Sequence, residues 1–409
     1  MSKAVTFTKN AKLESFSTNV IDRIASSGTF SPLEIGRATA EGVLLSAYTF
    51  KKYLTPDPEV IEKELNEVSV TWQKDRLAFS EGLEQGKVIA SATNLAKDLV
   101  NEPAINMTTD HLHRCAEEIT KDKRITLKVL EKKDLEEIGC GAILGVSKGS
   151  YHPPKLLILE YNGTEDGPVT AFVGKGITFD TGGYNLKLRG GMENMKSDMS
   201  GAATVLAVVN AAAELGVRRK IVGVAPVCEN VISGNAIKPG DVLVAYNKKT
   251  IEVIDTDAEG RLILADALSY AEEKYRPEII IDIATLTGAC ITALGYQVSG
   301  VIGTNKELID ALVNAGEESY DRVWPLPLLE EYKESMKGTI TDLKNLSVSG
   351  YGAGAITAAV FLSHFVQNAK WAHIDIAGPS FLTEERDYLQ KGATGSGVRL
   401  LMYYLLSQC

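Results

Sequence analysis

The chain has 409 residues, a formal net charge of −10, 44% hydrophobic residues and 23% charged residues. Such a chain is globular and long enough for two domains, or for one large domain with a smaller attachment. The acidic balance argues against nucleic-acid binding through bulk basic charge and against attraction to an anionic membrane. Residues 1–10 lack the apolar core of a signal peptide. The longest apolar run, 202–213, contains Asn210 and is too short to cross a bilayer. Five scattered cysteines (Cys115, Cys140, Cys228, Cys290, Cys409) show no metal-ligand spacing. They read as reduced thiols, and the expected location is cytoplasmic.

Taken along the chain, residues 31–53 and 58–77 read as helices. Residues 86–101 read as an amphipathic helix, because Val88, Ala92, Leu95, Ala96 and Leu99 fall on one face at helical spacing. Asn101-Glu-Pro103 ends it, since proline disfavours helix at the residue before it. From residue 127 onward strand-like and helix-like segments alternate. Short β-rich runs occur at 156–160, 169–173, 221–225, 251–254 and 278–283. Those at 169–173 and 279–281 are apolar enough for burial on both faces. Segment 200–215 is apolar almost all round and stops at Gly216, which predicts a buried helix with a glycine cap. Segments 262–274 and 357–367 are further helices. The alternation predicts an α/β fold, a mixed sheet covered by helices on both faces.

Two stretches carry the chemistry: Gly174-Lys-Gly-Ile-Thr-Phe-Asp180 and Asp255-Thr-Asp-Ala-Glu-Gly-Arg261. With Lys187 and Asp198 they bring together Asp180, Asp198, Asp257 and Glu259 and the cations Lys175, Lys187 and Arg261. Lys175 and Asp180 follow an apolar strand, where functional groups gather in open α/β sheets. Asp198 directly precedes the small-residue helix that opens Ser200-Gly-Ala-Ala203. If 255–261 is extended, Asp257, Glu259 and Arg261 line one wall, with Ala258 and Gly260 facing away. Carboxylates this close repel one another unless a divalent cation holds them. Four of them suffice for two ions if one or two bridge. Lys175 ligates only as a neutral amine. Lys187 and Arg261, remaining charged, suit a carbonyl and a developing oxyanion. Taken singly, an Asp after a strand is more often a turn or cap residue, and a lone Lys or Arg a solvated one.

Other site classes fail on the residues. Gly176 follows Lys175 where a phosphate loop needs Ser or Thr, and Phe179 stands where a dinucleotide motif needs its third glycine. None of the five histidines pairs at helical spacing with a glutamate for zinc. His373, on an expected strand, reads as a buried structural histidine.

These residues closely resemble the leucyl aminopeptidase family, the M17 metallopeptidases. The matching stretches are Val173-Gly-Lys-Gly-Ile-Thr-Phe-Asp-Thr-Gly-Gly183, Asn185-Leu-Lys187, Lys196-Ser-Asp-Met199 and Thr256-Asp-Ala-Glu-Gly-Arg-Leu262. Supporting matches are Ala284-Thr-Leu-Thr-Gly288, His373-Ile-Asp-Ile-Ala-Gly378 and Gly392-Ala-Thr-Gly395. The resemblance implies an aminopeptidase that releases N-terminal residues, leucine and similar, from short peptides. It implies two divalent metal ions per subunit, manganese or zinc. Lys175, Asp180, Asp198 and Glu259 would hold the more readily exchanged ion, and Asp180, Asp257 and Glu259 the tighter one. Lys187 would polarise the scissile carbonyl. Arg261, helped by the backbone near Leu286, would hold a bicarbonate acting as general base. Met195, Thr285, Gly288 and Ala377 would line the pocket for the first side chain. A homohexamer is also implied, as is a division into a reduced N-terminal region, 1–85, and a catalytic domain, 86–409.

The chain departs from the family pattern at Asp255, where asparagine is usual, and at Thr181 and Asn185, where serines are. Two rival readings are a non-enzymatic assembly or DNA-contacting protein on the same fold, disfavoured by the net charge, and a two-metal phosphoesterase, disfavoured by the specific signature.

Overall fold

A computed structural model describes residues 1–21, 28–55, 65–121, 124–164, 167–347 and 352–408. Among the described residues, the centre is a nine-stranded mixed sheet. Its order is Val323–Pro325, Ser299–Gly303, Lys370–Asp375, Ile279–Ala284, Val169–Gly174, Lys220–Asn230, Lys155–Asn162 and Ile125–Leu130. Gly176–Asp180 pairs with the far half of Lys220–Asn230. The four central strands, from Lys370–Asp375 to Lys220–Asn230, run parallel. Ile279–Ala284 is buried throughout, as an apolar run with helices on both faces requires. The α/β sheet covered on both faces is as the sequence predicts.

One apolar layer packs the Ser200–Glu214, Arg76–Asn101 and Val398–Ser407 helices on one face of the sheet. The other packs Gly260–Tyr275, Gly141–Ser147 and Gly354–Ser363 on the opposite face. Each fully buried Val, Leu or Ile contributes roughly 1.5–3 kcal/mol. Ser200–Glu214 is buried at all but two of its positions, matching its all-round apolar sequence, and the chain leaves it through Gly216 at φ +66°. Its start lies directly on the strand ends. A Cβ on Gly201 would stand 2.2 Å from the Ile283 carbonyl oxygen and 2.7 Å from the Lys175 amide nitrogen, so only glycine permits this approach. Ala202 N then donates to Lys175 O at 2.8 Å, and Lys175 N to Ile283 O at 3.1 Å. Lys175 is thereby fixed where two parallel strands end.

The N-terminal region differs from expectation in three places. The helix expected over 31–53 closes at Ala47 and starts on a Ser31–Glu34 capping box. Of the helix expected over 58–77, residues 58–64 lie outside the described residues, and Glu67–Val70 is a strand paired in parallel with Ser15–Thr18. Alternating exposure along Glu-Val-Ser-Val is the strand period, which a helical reading overlooked. The helix expected from 86 begins at Arg76, where the Asp75 carboxylate accepts from Ala78 N. Trp72 and Phe79 stack at 4.5 Å in a small separate core. No described helix is long and apolar enough to cross a membrane.

Candidate metal centre

Five chain segments meet beyond the carboxyl ends of the central strands. Lys175 follows Val169–Gly174, and Asp180 closes Gly176–Asp180. Asp198 lies in the 3-10 turn Met195–Met199, Asp257 in the turn that precedes the Gly260–Tyr275 helix, and Glu259 at that helix's N-cap. Lys187 comes from the loop after Asp180. The Lys175 ammonium lies 2.8 Å from Asp198 Oδ1 and 2.9 Å from Glu259 Oε1. The Lys187 ammonium lies 2.7 Å from Asp180 Oδ2 and 2.6 Å from Asp257 Oδ1. Two cations therefore each sit between two carboxylates, and all six groups belong to the set named from sequence.

Burial sets the electrostatics. It drives the carboxyl pKa of Glu259 and Asp198 upward, with the nearby Asp180 charge adding to it. Asp257 is raised for the same two reasons. Burial disfavours the charge on Lys175, but Asp198, Glu259 and Asp180 outweigh it and hold the amine charged. Lys187 is likewise kept charged against desolvation, chiefly by Asp180.

A divalent cation fits this donor set. Asp180, Asp198 and Glu259 are all buried, each offers an oxygen within 4.8 Å of the others, and Asp198 Oδ2 is buried with no hydrogen-bond partner. Hard oxygen donors of this number suit such ions, which would supply the charge the lysines now provide.

One expectation from the sequence fails. The 255–261 segment is not extended, and Asp257, Glu259 and Arg261 do not share a wall. The strand before it, Thr250–Glu252, is a short one in a separate three-stranded sheet with Val242–Val244 and Leu343–Lys344. A turn at 256–257 then leads straight into the helix, so successive side chains rotate instead of alternating. Glu259 turns inward, and Asp257 keeps 36% of its side chain exposed. Gly260, far from facing away, lies against Lys175. Arg261 reaches Asn345 O through Nη1 at 2.8 Å, while its Nε is buried without a partner. Burial lowers the Arg261 pKa to about 10.

Three positioning residues escape the sequence reading. Asn230 Nδ2 donates to Asp180 Oδ1 at 2.8 Å and to Thr256 O at 2.9 Å, joining the two motif loops. Asn345 brackets the signature: its Oδ1 accepts from Ile254 N at 2.7 Å, and its Nδ2 donates to Asp255 O at 2.6 Å. Asp375 accepts from Leu286 N, Ala377 N and the Thr287 hydroxyl, drawing the loops at 285–287 and 376–377 together. Only Asp375 falls within a matched motif; the two asparagines sit in stretches with no local signal.

The Thr285 hydroxyl donates to Asp198 Oδ1 at 2.7 Å. Met195, Leu286 and Ala377 are half-buried, and Gly288 is exposed. Asp255 Oδ1 accepts from Asp257 N at 2.8 Å and so shapes the turn. Thr181 Oγ1 donates to Asn230 O, and Asn185 Oδ1 accepts from Thr256, so both departures from serine serve loop contacts. His373 is fully buried, its Nδ1 2.6 Å from Asp282 Oδ1, as a structural histidine should be.

Residues 94–402 match the model of the cytosol aminopeptidase family, catalytic domain. The chain belongs to that family. It is therefore an aminopeptidase, a metal-dependent peptide hydrolase. It is 47% identical over 367 residues to the probable cytosol aminopeptidase of Nitrosomonas europaea, covering 89% of this chain and 72% of that one. A probable cytosol aminopeptidase of Geobacter sp. strain M21 is 44% identical over 389 residues, covering 94% and 79%. Among solved structures, the bottromycin maturation enzyme BotP in complex with Mn superposes with a TM-score of 0.90 at 32% identity, over 100% of this chain and 86% of that one. As a member of this family, the chain contributes Glu259 of its signature to the buried acidic cluster.

Proposed function

We propose that this aminopeptidase uses two metal ions and releases N-terminal residues, leucine and similar, from short peptides. The observation that carries the reading is the doubled arrangement of one ammonium between Asp198 and Glu259 and another between Asp180 and Asp257. Two cation positions separated by two buried carboxylates, Asp180 and Glu259, are what a pair of bridged ions requires. Asp180, Asp198 and Glu259, with Lys175 as a neutral amine, would hold the more exchangeable ion. Asp180, Asp257 and Glu259 would hold the tighter one. Manganese or zinc suits this oxygen and nitrogen set, and BotP is described in complex with Mn. Bound, the two ions supply a polarised carbonyl and a water activated at neutral pH.

The chain's own groups do the rest. Lys187, relieved of its carboxylates, donates to the scissile carbonyl oxygen and stabilises the developing negative charge. Arg261, with the Leu286 backbone beside it, would hold a bicarbonate, which would supply a general base; the unpartnered Nε of Arg261 supports the assignment. Met195, Thr285, Leu286, Gly288 and Ala377 border the pocket for the first side chain. Residues 1–85 form an N-terminal region and 86–409 the catalytic domain of a cytoplasmic homohexamer. The relatives' names support the location, and family membership supports the assembly.

The test is leucyl-p-nitroanilide hydrolysis before and after chelation, then with manganese or zinc restored. Activity lost on chelation and regained with metal is expected. Undiminished turnover by fully chelated protein would refute the metal assignment. No turnover under any metal, with manganese bound, would refute the leucine preference.

A further inference from the structure

Several of the polar groups that join the N-terminal region to the catalytic fold converge on Asn101. This buried residue ends the Arg76–Asn101 helix. Its Nδ2 donates to the Tyr48 hydroxyl at 3.1 Å, and its Oδ1 accepts from Ala393 N at 3.0 Å. Its backbone carbonyl accepts from Lys196 Nζ at 2.5 Å. Lys196 belongs to the Met195–Met199 turn that carries Asp198. The last carbonyls of a helix have no partner within it, and a lysine is favoured beside them by the helix dipole. The metal-ligand turn is thus anchored to a helix end.

That helix end is itself held by residues 48–53, which leave the Pro32–Ala47 helix through an extended Tyr48 and then turn at Lys52 and Tyr53. The Tyr48 hydroxyl donates to Asp98 Oδ1 at 2.7 Å. The Tyr48 ring covers the Lys97 ammonium at 3.7 Å, a buried group with no hydrogen-bond partner that the ring face stabilises. Lys52 pairs with Glu102 at 2.8 Å, and the Tyr53 hydroxyl bonds the same carboxylate. Lys52 is half exposed, so that pair adds little; the Tyr48 contacts carry the attachment. Thr285 and Lys175 fix the far end of the Asp198 side chain, whereas the Asn101–Lys196 contact fixes the backbone that bears it.

We propose that residues 48–53 are a strap, and Asn101 a positioning residue, that hold the Asp198 turn in its metal-binding geometry. The N-terminal segment then sets the metal affinity of the catalytic domain without touching metal or substrate. The proposal rests on the metal-centre reading above.

The test uses the full chain stripped of metal, with Tyr48→Phe, Lys196→Met and the conservative Lys196→Arg. Hydrogen–deuterium exchange is followed over residues 192–200, and manganese binding is followed by titration calorimetry. Tyr48→Phe and Lys196→Met are expected to speed exchange in 192–200 and to weaken manganese binding about tenfold, the lower end of what a lost outer partner costs a metal site. Lys196→Arg restores both. Unchanged exchange in 192–200 overturns the proposal, as does wild-type manganese affinity alongside faster exchange. Faster exchange throughout the chain also overturns it, since that marks a general loss of stability. If the wild-type protein binds no manganese, the metal reading fails, and the exchange data alone decide the strap.

Discussion

Gly260→Ala sets two local effects against each other. Gly260 is the first residue of its helix, and alanine there is favoured by up to about 1 kcal/mol on helix propensity. The new Cβ, however, would lie 2.5 Å from Lys175 Cε, 2.7 Å from Nζ and 2.8 Å from Cδ. The lysine must then leave its seat between Asp198 and Glu259, where its contacts measure 2.8 and 2.9 Å. Overpacking of a dense interior costs about 1–3 kcal/mol. A hydrogen bond to a charged group adds roughly 1.5–3 kcal/mol when lost. Because Lys175 is flexible and keeps part of these contacts, the net destabilisation expected is about 1–3 kcal/mol, and the chain stays folded. On the proposed ligand set the metal centre suffers more, for its one nitrogen donor would be displaced. Manganese affinity should fall by at least the roughly 10–100-fold that a lost outer partner costs such a site. Calorimetric titration of manganese and leucyl-p-nitroanilide turnover would be read beside thermal unfolding. Gly234→Ala, where no atom lies within 4 Å of the added carbon, is the matched control. Wild-type metal affinity and turnover in Gly260→Ala would refute the placement of Lys175 in the centre.

Three further outcomes are expected. Glu259→Ala abolishes turnover yet folds, because Lys175 retains Asp198, and the stability loss is about 1–3 kcal/mol; robust activity in a folded variant removes Glu259 from the ligand set. Asp266→Ala leaves manganese binding intact but strands the amides of Ala142, Ile143 and Tyr246, at a cost of about 3–5 kcal/mol in urea unfolding; a loss below 1 kcal/mol contradicts these bonds. Glu41, buried between the first long helix and the C-terminal one, has its pKa raised to about 7, chiefly by desolvation. Its folded pKa lies above its unfolded one, so its contribution is full below the ordinary glutamate value of 4.5 and is lost as pH rises through about 7. Glu41→Gln should gain on the wild type by up to about 3 kcal/mol between pH 4.5 and 8; a gap that does not change with pH contradicts the shift.

Much of the site was legible because it is written in short motifs. Asp180, Lys187 and Lys175 lie within thirteen residues of one another, and the signature supplies Asp257 and Glu259 together. The strands that present them are apolar runs, and burial on both faces leaves that mark in any sequence. The helix at 200–214 was equally plain, since an all-round apolar helix has no alternative but the interior. Where reading by period failed, the competing signal was local and short. Glu67–Val70 has only four residues in which to show alternation. The turn at 256–257 precedes a helix whose first residues also fit an extended pattern.

The sequence by itself determined the fold class, the acidic cluster and the family, because each depends on residue types at fixed spacing along the chain. Only the tertiary structure decided which lysine sits between which carboxylates, and that Arg261 turns to Asn345 and not to the carboxylates. It alone placed Asn230, Asn345 and Asn101, whose partners lie far away in the chain. The reason is physical: an isolated asparagine carries no periodicity and no charge pattern. Its role is fixed only when the sheet brings unsatisfied donors and acceptors from distant segments to within hydrogen-bond reach.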